Sequence, residues 1–308
     1  MSVESRVCFL VWLIFTATPS ANFAFSQDSL STNNPDLRNT FQTFNSRYSE
    51  PPKNPEYLLN PDLEKEDKWR TWLISHIADR IVWDHCSKKA RNEAAWIIWE
   101  MMREMPPMIV AMTVALRAKV VIVPKGTKVI DFPQAQTLLT FNRNVQIDAE
   151  GMTGEFPDGS FGAFVPEEDL LTYRDWGGLR ATSREIFVHE WAHMIHKAMI
   201  GTEFDPVTTV TMNGKKEVKD HIQELFDKMA PDMRKSWYTW FNGTFDGRTT
   251  SNSADFFADM TTAWFSVFHK DAGAPDAGWI RDNYRELFDF MKKVYGPPRP
   301  IKAVPDDA

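Results

Sequence analysis

Cysteine is almost absent. The 308 residues hold two, Cys8 and Cys86, and Cys8 lies in an N-terminal segment that reads as an export signal. One remaining thiol cannot close an internal disulfide, so the fold must rest on its own core. Positive charge is in short supply too: 35 Lys and Arg face 42 Asp and Glu, a formal net charge of −7. A chain that lacks a basic excess lacks the electrostatic footprint of a phosphate-backbone binder, so nucleic acid is not an expected partner. No stable membrane span is expected either, because Arg117 and Lys119 interrupt the apolar stretch from Ile109 to Val123. Internal repeats and heptads are missing. What is present, 43% hydrophobic and 25% charged residues, is the composition of a globular protein.

Arg6 precedes the apolar run Val7–Phe15, and Ala24-Phe25-Ser26 has the small-x-small pattern of a cleavage site. Residues 1–26 therefore read as a cleaved signal peptide, and the chain as secreted or periplasmic. Residues 27–61, rich in Ser, Thr, Asn and Pro, read as a disordered linker. Helical spacing fills an N-terminal region, 62–117, with helices expected over Ser87–Met105 and Met108–Leu116. The β-branched run Lys119–Val123 and the segment Phe161–Val165 read as strands. A long helix is expected from Thr182 to Met199, stopped by Gly201, with further helices over Glu217–Met229, Ala254–Phe268 and Asp282–Val294. The fold class is α+β, a small sheet among many helices. Residues 118–296 form the expected catalytic domain and 297–308 a flexible tail.

Several features read as structural. The tryptophan pairs Trp69/Trp72, Trp96/Trp99 and Trp237/Trp240 share helix faces, a spacing that marks core packing more often than a sugar-binding platform. Cys86, among Trp83, Asp84 and His85 in a helical-looking stretch, reads as a structural thiol. Glu167-Glu168-Asp169 reads as a solvated acidic turn, with a preference for basic substrates as the rival reading.

The chemistry concentrates in Val188-His189-Glu190-Trp191-Ala192-His193-Met194-Ile195-His196, which contains H-E-x-x-H. Chance would produce that pattern roughly 0.01 times in a chain of this composition. Positions four apart on a helix lie about 40° apart around the axis and about 6 Å along it, so His189 and His193 can reach one metal ion together. Zinc suits the pair because it polarises a carbonyl and lowers the pKa of bound water, with Glu190 as general base. His196 stands about 10 Å along the axis from His189, too far for all three to bind one tetrahedral ion. The metzincin pattern H-E-x-x-H-x-x-G-x-x-H is excluded, since His196 occupies its glycine position and Met199 its last histidine. His196 thus reads as a supporting or core residue.

A third ligand must come from elsewhere. Asp255 and Asp259, in Asn252-Ser-Ala-Asp-Phe-Phe-Ala-Asp259, are i, i+4 and share a helix face. One carboxylate can bind metal while the other orients an imidazole through its free N–H. Spacing alone supports equally a plain helix start, with Asn252 or Ser253 capping and Asp255 complementing the dipole. Asp205, in Gly201-Thr-Glu-Phe-Asp205, is a rival ligand, in a segment similar to the G-T-x-x-D of aspzincins but without the Tyr-Gly that follows there.

Together the two helical segments resemble the zinc-metallopeptidase domain of anthrax lethal factor and related secreted zincins of the gluzincin type. There a second helix carries Asn-x-x-Glu-aromatic-aromatic-Ala-Glu. The resemblance implies a zincin-like fold, zinc as cofactor, His189, His193 and Asp255 as metal ligands, Glu190 as catalytic base and Asp259 as a support behind them. Two departures stand out: both family glutamates are aspartates here, and the tyrosine before the second motif is missing, with Tyr238, Tyr173 and Arg248 as candidate replacements. The strand Phe161–Val165 is expected to offer an edge to an extended peptide. The expected function is a secreted zinc-dependent metallopeptidase acting on a peptide or protein, or, nearest to it, a cell-wall amidase. The alternative is a non-catalytic, metal-stabilised protein that binds cell-surface glycans.

Overall fold

The structure is a computed structural model, and it describes residues 63–132, 135, 151–156, 159–171, 174–176, 179–181, 184–212, 215–242, 253–267 and 275–301. The expected signal, the linker, residues 302–308, Tyr173 and Arg248 lie outside the described residues. So do the side chains of Tyr238, Trp69 and Trp240.

Three helices come first: α1 (Leu63–Ala78), α2 (Lys88–Met102) and α3 (Pro107–Ala115). Ser87 caps α2 by accepting from the Ala90 N–H, and Pro107 opens α3, where a missing N–H costs nothing. The sheet follows, built from β1 (Lys119–Val123), β2 (Met152–Glu155) and β3 (Phe161–Pro166) in the order β1-β3-β2. β1 runs parallel to β3 from Lys119↔Gly162 to Val123↔Pro166, and β2 antiparallel to it from Met152↔Phe164 to Glu155↔Phe161. Val120, Ile122, Ala163 and Val165 join the main helical core, whereas Val121, Val123, Met152 and Phe164 join a smaller cluster with Val129 and Phe156. Apolar cover on both faces explains why β1 is an unbroken apolar run rather than an alternating one.

After the short helix α4 (Glu167–Leu171) and the hairpin β4 (Arg174–Trp176) with β5 (Leu179–Ala181) comes α5 (Glu185–Met199), which carries the H-E-x-x-H segment. It stops where Gly201 adopts φ +79°, a conformation that suits glycine. A second hairpin, β6 (Val207–Met212) with β7 (Lys215–Asp220), leads into α6 (His221–Lys228), α7 (Pro231–Asn242), α8 (Ser253–Trp264), α9 (Ala277–Asn283) and α10 (Arg285–Tyr295). α8 lies along α5, and β2 and β3 cross the same helix. No described helix is long and apolar enough to cross a membrane.

Several expectations need correction. The helix expected over Glu217–Met229 begins only at His221, because Lys215–Asp220 pairs as a strand with the β-branched run Val207–Met212. Asp282–Val294 is split between two helices at Tyr284. Cys86 lies between α1 and α2, outside any helix. Phe161–Pro166 is the central strand of its sheet, so the edge belongs to β2, whose other side pairs with no strand among the described residues. The acidic triplet is not a solvated turn: Glu167 and Asp169 are buried, and Glu167 accepts from the backbone N–H groups of Ser87 and Lys125. Helices α1 to α3 share one core with α5 and α8, and the start of the expected tail is packed, with Ile301 buried and its N–H donated to the Phe265 carbonyl.

Among tryptophans whose side chains are described none is exposed; Trp99, Trp191, Trp237 and Trp264 are buried. The Cys86 thiol donates weakly to the Ile122 carbonyl at 3.4 Å. Desolvation, with Glu167, Asp84 and Glu168 nearby, pushes its pKa up from 9.0 to about 11. Alkylation by iodoacetamide at pH 8 should therefore run about 100-fold slower than for an ordinary thiol and accelerate as pH rises toward 11. Labelling at the rate of a free peptide cysteine would contradict this.

Candidate metal centre

Past its first turn, α5 is buried nearly all round, and only His189, His193, Lys197 and their flank break the pattern. This single open stripe at i, i+4 spacing follows from helix geometry once Phe187, Val188, Trp191, Ala192, Met194 and Ile195 are taken into the core. The two imidazoles meet across it, Nε2 to Nε2 at 3.1 Å. Asp255, in the first turn of α8, brings Oδ1 to 3.6 Å from His193 Nε2. One donor atom from each of His189, His193 and Asp255 lies within 4.8 Å of the others.

Behind this trio sits a relay. His189 Nδ1 is 2.9 Å from Asp259 Oδ1, and Asp259 Oδ2 accepts from the indole N–H of Trp237 at 2.9 Å. Asp259 is buried and one turn beyond Asp255, so α8 supplies both carboxylates. Trp237 comes from α7 and packs edge-on against Phe256 and Phe226. Desolvation alone would lower the His189 pKa, but the hydrogen bond and charge of Asp259, with Glu190 and Asp255, raise it to about 9. The metal-free ring is therefore protonated on both nitrogens near neutral pH; Asp259 holds the Nδ1 proton, and a cation at Nε2 would have to displace the other. His193 is driven the other way, well below the usual imidazole value, by desolvation and by the neighbouring His189 and His196.

Glu190 reaches β2 while its charge still acts on His189 and Asp255. Its Oε2 accepts from the Thr153 hydroxyl at 2.5 Å, and the same hydroxyl lies 3.1 Å from the Glu190 carbonyl. Thr153 faces α5 because Met152 beside it faces the smaller core, the alternation of a strand. A Cβ added to Gly151 would stand 2.7 Å from Glu190 Cγ and Oε1, so the backbone approaches this carboxylate as closely as a glycine permits. Burial raises the Glu190 pKa, with Asp255 adding to it, against the lowering effects of His189 and Thr153.

The donor set fits a small divalent cation. Donors 2.0–2.1 Å from a tetrahedral ion stand about 3.3–3.4 Å apart, and the observed 3.1 and 3.6 Å bracket that. Without a metal, a protonated His189 can donate to a neutral His193; a cation would instead use the Nε2 lone pairs of both. Of the two rival third donors, Asp255 is the one in this group. Asp205 is fully buried elsewhere, beside His196 and Asp220. His196 likewise stands with those aspartates and against the Phe257 ring rather than behind His189.

Three contributors escaped the sequence reading: Thr153, Gly151 and Trp237. A hydroxyl 37 residues away and an indole 22 residues from its acceptor leave no local signal; only the buried aromatic pattern of α7 hinted at Trp237. No family model, curated protein or solved structure matches the chain.

Asp259→Asn keeps the shape but removes the charge that orients His189. Zinc affinity, read by competition with a chelator, should fall about 10–100-fold. An unchanged affinity would show that Asp259 serves packing alone.

Proposed function

We propose that the chain is an exported zinc-dependent endopeptidase with a zincin-like arrangement, in which His189, His193 and Asp255 hold the metal. The observation that carries this reading is the convergence of those three donors in an open stripe, with a buried carboxylate, Glu190, on the adjoining helix position. Zinc bound there would polarise a carbonyl and make water acidic enough to ionise near neutral pH. The protein's own part is positional and protonic. Asp259 fixes the His189 ring, and Thr153 and the glycine at 151 fix Glu190. Glu190 then takes a proton from water and returns it to the leaving amine.

Binding of an extended peptide is supported by β2. Its free edge among the described residues is contiguous with Thr153, so a substrate strand paired there would run past Glu190. Main-chain hydrogen bonds along an edge give affinity with little sequence dependence, which suits an enzyme acting on unfolded protein. The glycan-binding alternative draws no support from exposed tryptophan among the described side chains.

Glu190→Gln should retain zinc, because Glu190 is not a ligand, and lose hydrolysis of an unfolded casein-type substrate by about 10²–10⁴-fold. No hydrolysis by either protein while zinc is bound would favour a metal-stabilised binder, and equal hydrolysis by both would show that Glu190 is not the base. Peptidoglycan cleaved in place of casein would favour the amidase. Gly151→Ala tests the strand contact: its methyl group must displace the Glu190 side chain or Ile186, so activity should drop at least tenfold while zinc content stays the same. Full activity would mean that Glu190 does not need this position.

A further inference from the structure

A second group of metal-ligand residues stands one turn further along α5 and is not used by the reading above. His196 Nε2 lies 3.3 Å from Asp205 Oδ2 and 3.6 Å from Asp220 Oδ2, and the three donor atoms fall within 4.8 Å of one another. Three separate devices aim them. His196 occupies the last turn of α5 and is 4% exposed. Asp205 is reached by the turn at Gly201, whose N–H donates to the Asp205 carbonyl while Ile200 bridges to Asp205. Asp220 ends β7 and caps α6.

Each carboxylate spends one oxygen on the backbone and turns the other toward the imidazole. Asp205 Oδ1 accepts from the Ile222 N–H at 3.1 Å, and Asp220 Oδ1 from the Gln223 N–H at 2.7 Å. His196 Nε2 and Asp205 Oδ2 are both buried and make no hydrogen bond of good geometry; what joins them is the 3.3 Å ion-pair contact, which needs a protonated imidazole. Asp205 is fully buried. With a neutral imidazole that contact has no proton to share, and buried lone-pair atoms facing one point are costly unless a cation stands between them. The spacings 3.3 and 3.6 Å lie near the edge of about 3.3–3.4 Å expected around a zinc-sized ion.

We propose that His196, Asp205 and Asp220 form a second site for a zinc-sized divalent cation, structural in role, which ties the end of α5 to the 201–205 turn and to the start of α6. One neutral imidazole and two carboxylates carry two negative charges, which a divalent ion neutralises. Two of the three donors are buried, which leaves little room for a reacting substrate. The competing arrangement is a buried ion pair with no metal. Burial lowers the His196 pKa, but the facing Asp205 and Asp220 outweigh it and hold it above the ordinary imidazole value, so an imidazolium could fill the same space. Added zinc distinguishes the two, because a protonated imidazole has no use for it.

The test is zinc content and melting temperature of the whole chain, with zinc chloride as the probe. After dialysis the unaltered protein should hold two zinc ions per chain, His193→Ala one and His196→Ala one. In the His193→Ala protein, stripped and then titrated, zinc should raise the melting temperature by about 5–10 °C at a hundredfold excess over Kd. Asp220→Asn placed in that background keeps a helix-capping side chain and removes a ligand charge, so it should fold and need at least tenfold more zinc for the same shift. One zinc per chain that survives His196→Ala but not His193→Ala, with no thermal response in the His193→Ala protein, would overturn the second site and leave the catalytic reading standing. Two zinc ions retained in His193→Ala would instead undo the catalytic reading. If His196→Ala does not fold, the Asp220→Asn titration decides, and an unshifted curve refutes the proposal.

Discussion

The candidate centre depends on one constraint: two imidazoles on α5 and one carboxylate on α8 are held with a donor atom of each near a common point. The three groups come from two separate helices, so their meeting must be set by the elements that carry them. Packing of α8 along α5 does this. Phe256, Phe257 and Met260 enter the same core as Phe187, Trp191 and Ile195, and that burial fixes the relative height of Asp255 and His193. The hydrogen bond from His189 to Asp259 then fixes the ring rotation, and Trp237 holds the carboxylate in turn. A cation between the three donors would stabilise the fold further, as metal sites generally stabilise the fold that prepares them.

The sheet contributes through a single strand. β2 is antiparallel to its neighbour while β1 is parallel, and its alternation sends Met152 into the smaller core and Thr153 onto Glu190. Glu190 is therefore tied to an edge strand rather than to a loop, which couples its orientation to anything that pairs with that edge. On the far end of the same helix, His196 faces Asp205 and Asp220. α5 thus carries two His-carboxylate groups in different surroundings, one partly exposed and one in the core.

The histidine pair of the candidate centre could be read from spacing, whereas Asp255 and Asp259 as its partners were implied by the resemblance, since spacing alone supported a plain helix start equally. His189, His193, Asp255 and Asp259 are pairs at i, i+4, and a helix places such pairs on one face whatever surrounds it. The strand Lys119–Val123 was legible because β-branched residues covered on both faces need no alternation. What stayed hidden depends on distant partners. The Glu167 carboxylate looked solvated because its backbone donors at Ser87 and Lys125 lie 80 and 42 residues away. The β6–β7 hairpin was missed although Asn213-Gly214, a favoured hairpin pair, stands between its strands. The Lys-Lys-Glu-Val-Lys of β7 suits a helix by intrinsic preference, and pairing with Val207–Met212 overrides it. Asp205 looked like a rival ligand because sequence shows a carboxylate near the motif but not the direction in which a turn sends it.

The most direct measurement is anomalous diffraction at the zinc edge on crystals of the protein. The account predicts a peak about 2.0–2.2 Å from His189 Nε2, His193 Nε2 and an Asp255 oxygen together. A peak that leaves Asp255 more than about 3 Å away with another protein group in its place, or no peak between the two histidines, would contradict it.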